Sequence, residues 1–418
     1  MPLQPDTEIT LDIEKPVAGG RMLARHEGQV VLVAGSIPGE RVRARIERVS
    51  RQVAFARTIG VLNESADRRT SGADWACGGS LYAHVSYERQ LKLKSEILGD
   101  AFERIAKAPL PQPPVIMPSR EEGYRMRARL HGARGSLGFF REGTHELCDA
   151  GPTRQLLPES IAALERLRAV FTAQTIVSCE LAENAAADAR AVIVELERPD
   201  VLTAHDEPVE GISGLMFTQE GGGHLAVAYG SPFVTDRVAV GDSVVELTHH
   251  VQSFFQGNRY LLAPLVDRVL QQVPDGTVTD LYAGVGLFAV SLAARGAGEI
   301  VAVEGDRSSA RDLQSNAGAY GAAIRVEPLS VESYLARPRL ERPDTIVLDP
   351  PRTGLSREAM SSLIGLRPPQ VVYVSCDPAT LARDTKRLAE AGYHLAHIEA
   401  FDLFPNTAHI ETLAVFRT

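Results

Sequence analysis

A chain of 418 residues, 44% apolar and 23% charged, is too long for one average core, so two or three domains of a soluble globular protein are expected. Its longest apolar run, around Leu281–Ala294, carries glycines and is too short to span a bilayer, and Met1–Ile9 lacks the apolar stretch of a signal peptide. Four scattered cysteines make no disulfide framework and suit a reducing cytoplasm, while a formal net charge of −9 argues against nonspecific nucleic-acid binding. The charge is unevenly spread, however. Eight arginines stand against three glutamates from Arg21 to Arg57, and six against two from Arg120 to Arg141. Basic faces on an acidic body suit a protein that holds a polyanion at chosen places.

Residues 8–62 alternate short apolar runs with Gly/Pro turns, which predicts a small N-terminal β-barrel occupying residues 1–62. Within it Val42, Ala44 and Ile46 face one way and Arg41, Arg43 and Arg45 the other. Such a strand suits an RNA surface, and equally a solvated edge strand that uses charge to avoid aggregation. A turn-rich segment, SGADWACGGSLYAHVSYERQLKLK, leads into a helix over Tyr87–Lys107, followed by a stiff linker over Pro109–Pro118. Short strands and one helix, Ile161–Ala169, fill the stretch to about Val245. They predict a mostly β central domain, residues 63–250, whose sequence alone suggests no chemistry. From residue 251 the character changes. An amphipathic helix, Tyr260–Val273, precedes alternating strands and helices, so residues 251–418 read as an α/β domain with a parallel, doubly wound sheet. Its last strands are open to an antiparallel arrangement.

The chemistry concentrates at strand ends of that domain. In VVYVSCDPATLARD, five apolar residues run into Cys376, and Asp377-Pro378 opens a helix as cap and first-turn proline. Cys376 therefore belongs at a strand's carboxyl end beside a helix N-terminus, where open α/β sheets bind ligands and the dipole favours a thiolate. A small apolar core residue before a turn is the alternative. Asp280–Gly286 follows a strand and precedes the helix Leu287–Arg295, and Glu304 ends the next strand where an acidic residue would bind a ribose diol. No third glycine precedes the helix, so a nucleoside without a diphosphate, such as S-adenosylmethionine, fits better than a dinucleotide. Asp349 sits on a stiff DPPR loop where its carboxylate can hold a planar heterocycle, or where the diproline merely makes a tight exit. Glu411 precedes the last apolar strand and falls in the same region.

Together DLYAGVGLF, VEGD, LDPPRTG, VYVSCDPATLARD and FPNTAHIE, with FFQGN upstream, closely resemble the bacterial RNA (uracil-5-)-methyltransferase family. GQVVLVAGSIPGERV resembles a TRAM domain, as found in its 23S rRNA members. The resemblance implies a Rossmann-like methyltransferase domain behind an OB-like barrel and a central RNA-binding domain. It implies Cys376 as nucleophile toward C6 of uracil and Glu411 as the base that removes the C5 proton. It places Gln256, Tyr282, Glu304 and Asp349 at positions that bind S-adenosylmethionine or arrange the site. A further asparagine found in some members has no evident counterpart near Leu329–Ser330. The implied product is 5-methyluridine in RNA, with 23S rRNA expected and tRNA the alternative; the oligomeric state is open, with a monomer as the default.

One departure concerns metal. Members with a [4Fe–4S] cluster carry C-x5-C-G-G-C and a fourth Cys before Pro. Here those positions read Ser71, Cys77, Ser80 and Gly151, with Cys148 close by as a shifted candidate. Two thiolates cannot fill a four-cysteine site, so no cluster is expected, and Cys179 is expected in a core. Three rival readings remain at this level, a metal-binding protein being the most distant. An amino methyltransferase of DPPY type would need neither Cys376 nor Glu411, and here Arg352 replaces its stacking aromatic. A nonenzymatic RNA-binding or assembly factor would use only the barrel and the arginine-rich strands.

Overall fold

The computed structural model describes residues 3–133, 136–171, 176–197, 207–221 and 225–418. Arg134, one of the arginines between Arg120 and Arg141, lies outside them. Five strands, β1 (Glu8–Pro16), β2 (Met22–His26), β3 (Gln29–Ala34), β4 (Arg41–Ser50) and β5 (Val53–Asn63), close into a barrel in the order β1-β2-β3-β5-β4. The period-2 pattern decides which side is core: Leu11, Val31, Val33, Val42, Ala44, Ile46, Ala54 and Ala56 are all buried inside it. Because β4 bonds β1 on one side and β5 on the other, it has no free edge to protect. Two of its outward arginines meet acids of β1, Arg45 on Glu8 at 2.7 Å and Arg41 near Asp12 at 3.9 Å. Glu40, fully buried, accepts two hydrogen bonds from Arg68 at 2.7 and 2.6 Å and ties the following segment to the barrel.

Helix α1 (Tyr87–Ala101) runs on through one π-turn, Phe102–Ala106, and leads by the proline-rich linker to β6 (Ile116–Met117). The central region then holds β7 (Arg127–Ala133), β8 (Ser136–Phe140), β9 (Leu147–Asp149), α2 (Pro158–Val170), β10 (Ile176–Glu183), β11 (Arg190–Leu196), β12 (Gly214–Gln219) and β13 (Ala226–Gly230). Its strands form one sheet in the order β13-β12-β11-β10-β7-β8-β9. A hairpin, β14 (Phe233–Val240) and β15 (Ser243–His250), closes it off.

The C-terminal region alternates α3 (Leu262–Gln272), β16 (Val278–Leu281), α4 (Leu287–Ala294), β17 (Ile300–Val303), α5 (Arg307–Ala317), β18 (Ile324–Glu327), α6 (Val331–Leu335), β19 (Thr345–Leu348), α7 (Arg357–Leu366), β20 (Gln370–Ser375), α8 (Pro378–Glu390), β21 (His394–Phe401) and β22 (Glu411–Arg417). The sheet order is β18-β17-β16-β19-β20-β22-β21-β6. The first five strands are parallel and β22 runs against both neighbours. Strands β16, β17, β19 and β20 are buried along their whole length, as strands covered by helices on both faces must be. The order of connection reverses between β16 and β19, and the crevice at such a switch point is where ligands bind.

Two segments expected in the central stretch 63–250 build onto this sheet. β6 pairs in parallel with β21, and α1 contributes Ile97, Leu98 and Ala101 to the core that covers one face. Val238, Val240, Val245 and Leu247 of the β14–β15 hairpin join Leu265, Val266 and Val269 of α3 in the core on the other.

A second correction concerns the cysteines. Cys77 and Cys148, 71 residues apart in sequence, form a disulfide with Cα atoms 5.7 Å apart, so the four cysteines are not all isolated thiols. The pairing is a product of the central sheet. Cys77 bridges Arg141 at the end of β8, and Cys148 on β9 pairs with Phe139 two residues back on β8, so the two meet at one corner. Cys179 lies fully buried in the central core, as expected.

Candidate active site

Tyr282, Glu304, Asp349 and Cys376 each follow the last residue of β16, β17, β19 and β20 by one, so all four stand at the same edge of the parallel sheet. Glu411 reaches that edge from the opposite direction, as the first residue of an antiparallel strand. The ladder between β20 and β22 ends at Ser375 paired with Thr412, and one step further on each strand are Cys376 and Glu411. Gln256, from the chain before α3, completes the set: its side-chain N–H donates to Asp349 Oδ2 at 3.0 Å. All six predicted residues line one cavity of about 500 Å³, together with Phe254, Gly284, Arg352, Phe404 and His409.

Local geometry explains the placement. Asp377 caps α8 through its side chain, accepting from the Thr380 N–H at 2.8 Å, and Pro378 fills the first helical position. On the β16 loop, Tyr282 has a positive φ of 60° and Gly284 one of 57°. Gly286 begins α4 at φ 100°, and a Cβ there would lie 2.8 Å from Val290 and 2.9 Å from Leu313, so the turn admits only glycine. Glu304 holds the loop, accepting the Gly284 N–H at 2.8 Å on one oxygen and the Asp306 N–H at 2.7 Å on the other. Asp280, also considered from sequence, is turned away from the cavity: it is buried within β16 and accepts the Ala289 N–H of α4 at 2.9 Å. Ser330 caps α6 by accepting from Ser333 N.

The electrostatics are those of carboxylates crowded out of water. Burial pushes Asp349 up to about 7, against the opposing hydrogen bond from Gln256. Burial and then the charge of Asp349 drive Glu411 well above the carboxylate range, with Arg352 opposing, and one Glu411 oxygen has no protein partner. Burial also raises Glu304. Burial, then Glu411 and Asp349, push the Cys376 thiol up to about 12, with Arg352 opposing, in the direction opposite to that of a helix N-terminus.

Sequence reading gave no site role to four neighbours. Phe254, exposed over 66% of its surface, lines the cavity beside Gln256, and Arg352 Nη2 lies 3.4 Å from His409 Nε2. Burial, with Arg352 next, lowers His409 to about 4 and keeps it neutral near pH 7. Phe404 stands edge-on to the His409 ring. All four lie inside the motifs FFQGN, DPPR and FPNTAHIE, but those motifs do not show which side chains turn inward. The loop carrying Phe404 and His409 is itself held by α1. Lys94, fully buried, bonds the carboxylate of Asp402 and donates to Phe404 O at 3.1 Å, while Gln90 exchanges two hydrogen bonds of 2.9 Å with Asn406.

The TRAM domain profile matches residues 3–59 and that of the tRNA (Uracil-5-)-methyltransferases residues 224–417. An uncharacterized RNA methyltransferase of Streptomyces coelicolor is 31% identical, over 96% of this chain and 91% of its own. The 23S rRNA (uracil(1939)-C(5))-methyltransferase of Pseudomonas putida is 30% identical, over 97% and 93%. The solved tRNA (uracil-54, C5)-methyltransferase of Pyrococcus abyssi, in complex with S-adenosyl-L-homocysteine, superposes with a TM-score of 0.78 over 97% of this chain and 99% of that one. At 23% identity that likeness speaks for the fold alone. Relatives matched end to end at 30% identity or better, with both domain profiles, show that the chain belongs to the S-adenosylmethionine-dependent RNA (uracil-5-)-methyltransferase family with an N-terminal TRAM domain.

Proposed function

We propose that the protein forms 5-methyluridine in 23S rRNA, with Cys376 as nucleophile and Glu411 as base. The observation that carries this reading is the convergence of a cysteine and a carboxylate, from adjacent antiparallel strand ends, in one cavity with the cofactor residues. The rRNA target is supported by the full-length likeness to the Pseudomonas putida enzyme.

S-adenosylmethionine supplies an electrophilic methyl group on a positively charged sulfur. The residues present fit such a ligand. The cavity is lined by Glu304, Asp306, Asp349 and Glu411 against Arg352, and because burial raises Asp349 and Glu411, the negative charge that favours a cationic guest rests chiefly on Glu304 and Asp306. Glu304, fixed by the backbone N–H groups of Gly284 and Asp306, is the residue we assign to the ribose diol, and Phe254 offers an apolar face. The chain's own residues then act on uracil. C5 of uracil is a poor nucleophile. Addition of the Cys376 sulfur to C6 moves the ring electrons toward O4 and C5, and C5 becomes able to form the bond to carbon. Glu411 takes the C5 proton, the electrons of that C–H bond reform the ring double bond, and the C6–S bond breaks to return Cys376. Before addition the Cys376 thiol and the Glu411 carboxyl must each give a proton to solvent, and the charge of Arg352 favours both losses. A target uridine within folded RNA must be turned out of its stack to reach the cavity.

We also propose that the protein works without an iron–sulfur cluster. In support, Cys77 and Cys148 are bonded to each other, and Ser71, Ser80 and Gly151 bring no thiolate.

The test incubates the protein with 23S rRNA or tRNA transcripts and S-adenosylmethionine, and maps 5-methyluridine by mass spectrometry. Expected are product in 23S rRNA, neither product nor covalent adduct with Cys376→Ala, and a stalled protein–RNA adduct with Glu411→Gln. Full activity of Cys376→Ala would overturn the mechanism, and product in tRNA alone would overturn the target. Near-stoichiometric iron and sulfide in anaerobically prepared protein would overturn the absence of a cluster.

A further inference from the structure

A second cavity of about 500 Å³ meets the first at Cys376, Arg352, Phe404 and His409. Its walls come from the barrel at Ala18 and Gly19, from Gly78 and Gly79 beside the disulfide, and from the central sheet. Two features of the central wall have no use in the mechanism above. The first is Arg125. Its guanidinium is mostly withdrawn from solvent, donates to Arg127 O at 2.8 Å and Gln155 Oε1 at 2.6 Å, and lies over the Phe139 ring. No carboxylate among the described residues pairs with it, and the nearby charge of Arg352 opposes it. A cation so placed lacks the anion that offsets its desolvation, and a ligand is the remaining source.

The second feature is an aromatic pair. His131 on β7 and Phe140 on β8 stack face to face with ring centres 3.8 Å apart and planes 13° from parallel. Phe140 stands two residues beyond Gly138, the ladder partner of His131, so both rings rise on one face of the sheet. Both are half-buried and both line the cavity. Burial, with the charges of Arg129 and His145, keeps the imidazole below its usual proton affinity, so it stacks as a neutral ring.

We propose that this wall is a subsite for one unpaired nucleotide neighbouring the target uridine, its base stacking on the His131–Phe140 pair and its phosphate pairing with Arg125. The proposal rests on the RNA reading of the active site and adds where an adjacent base goes once the target has left its stack. A paired base in a duplex hides its faces, so the subsite selects single-stranded or opened RNA. Phosphate at Arg125 supplies the missing countercharge, and the chain direction then leads past Arg352 to Cys376.

The test measures binding by fluorescence anisotropy, with a short single-stranded RNA of mixed uridine and adenosine and with a duplex of the same sequence, over a range of salt. Phe140→Ala should weaken single-strand binding roughly tenfold, with no change for the duplex and no change in salt slope. Phe140→Trp should retain affinity. Arg125→Met should make the salt dependence shallower by about one unit. Calorimetry of S-adenosylmethionine binding, whose cavity lies on the other side of Cys376, establishes that each variant is folded. The subsite is refuted if Phe140→Ala and His131→Ala both bind single strands as the parent does, or lose both RNA forms equally. If the parent makes no 5-methyluridine yet the variants still lose single-stranded RNA, the active-site reading falls and the subsite stands. If Phe140→Ala methylates with the parent's kcat/KM, the subsite falls alone.

Discussion

The two cavities that meet at Cys376 have nearly the same volume and opposite chemistry. The one at the sheet edge is lined by Glu304, Asp306, Asp349 and Glu411, with burial holding Asp349 and Glu411 above the carboxylate range. The one toward the central sheet is lined by Arg125, Arg129, His131 and Arg352. A net charge of −9 conceals this division, because it sums over surfaces that face different ligands. An acidic cavity attracts a cationic donor and repels a polyanion, and a basic groove does the reverse. Each reactant is thereby directed to its own side of one thiol. The partition between them is thin: Phe404 and His409 line both cavities.

The severest way to break that division is to release the partition. Lys94 and Asp402 are both fully buried and bonded to each other, and Lys94 also holds Phe404 O. Lys94→Met strands the Asp402 carboxylate and should cost roughly 3–5 kcal/mol of stability, read as a lowered Tm. The double variant Lys94→Met/Asp402→Leu should recover most of that stability, since an apolar pair removes both desolvation costs. It should not recover turnover, because the main chain of the partition has lost its donor. Full turnover in the double variant would show that Lys94 serves only the fold.

How much of this was legible beforehand differs between the two sides for a physical reason. On the acidic side the six residues expected from sequence all line the cavity, and five of them lie at or next to the end of a strand, with Gln256 alone on the connection before α3. Cys376 lies between five apolar residues and Asp377-Pro378, and Tyr282 and Glu304 each follow a buried strand. A local pattern suffices where the determinant is local. On the basic side the determinants are pairings across sequence. The Cys77–Cys148 bond spans 71 residues, the His131–Phe140 stack needs the register of β7 on β8, and Gln90 meets Asn406 across 316. The assignment of β6 to the C-terminal sheet is of the same kind, two residues paired with β21 far along the chain. The electrostatics of Cys376 divide in the same way: a helix N-terminus is visible in sequence, whereas burial and the approach of Glu411, which raise its thiol, are not.

The acidic side can be sharpened through pH. Asp349 has a folded value of about 7 against an ordinary 3.8, so its protonated form is favoured by folding. The sign follows: its contribution is complete below about pH 4 and is lost as pH rises through 7. Asp349→Asn keeps an acceptor for Gln256 and removes that loss. The variant should therefore melt with the parent near pH 4 and above it at pH 8, by an amount corresponding to at most a few kcal/mol. A gap that does not grow between pH 5 and pH 8 would mean that the cavity already compensates the charge.

The smallest effect concerns Arg352, the cation common to both cavities. It is exposed, so its influence on the thiol is screened, yet its charge opposes that of Glu411 and Asp349 on Cys376. Removing it as Arg352→Met should lower the thiolate fraction at pH 8 and slow iodoacetamide labelling of Cys376 by roughly two- to fivefold. Peptide mass spectrometry reads this directly, since Cys77 and Cys148 are bonded and Cys179 is buried with a thiol likewise pushed up to about 12. Added salt should shrink the difference, as for any partly solvated pair. Equal rates in low salt would show that the basic groove stops short of the thiol, and that Cys376 belongs wholly to the acidic side.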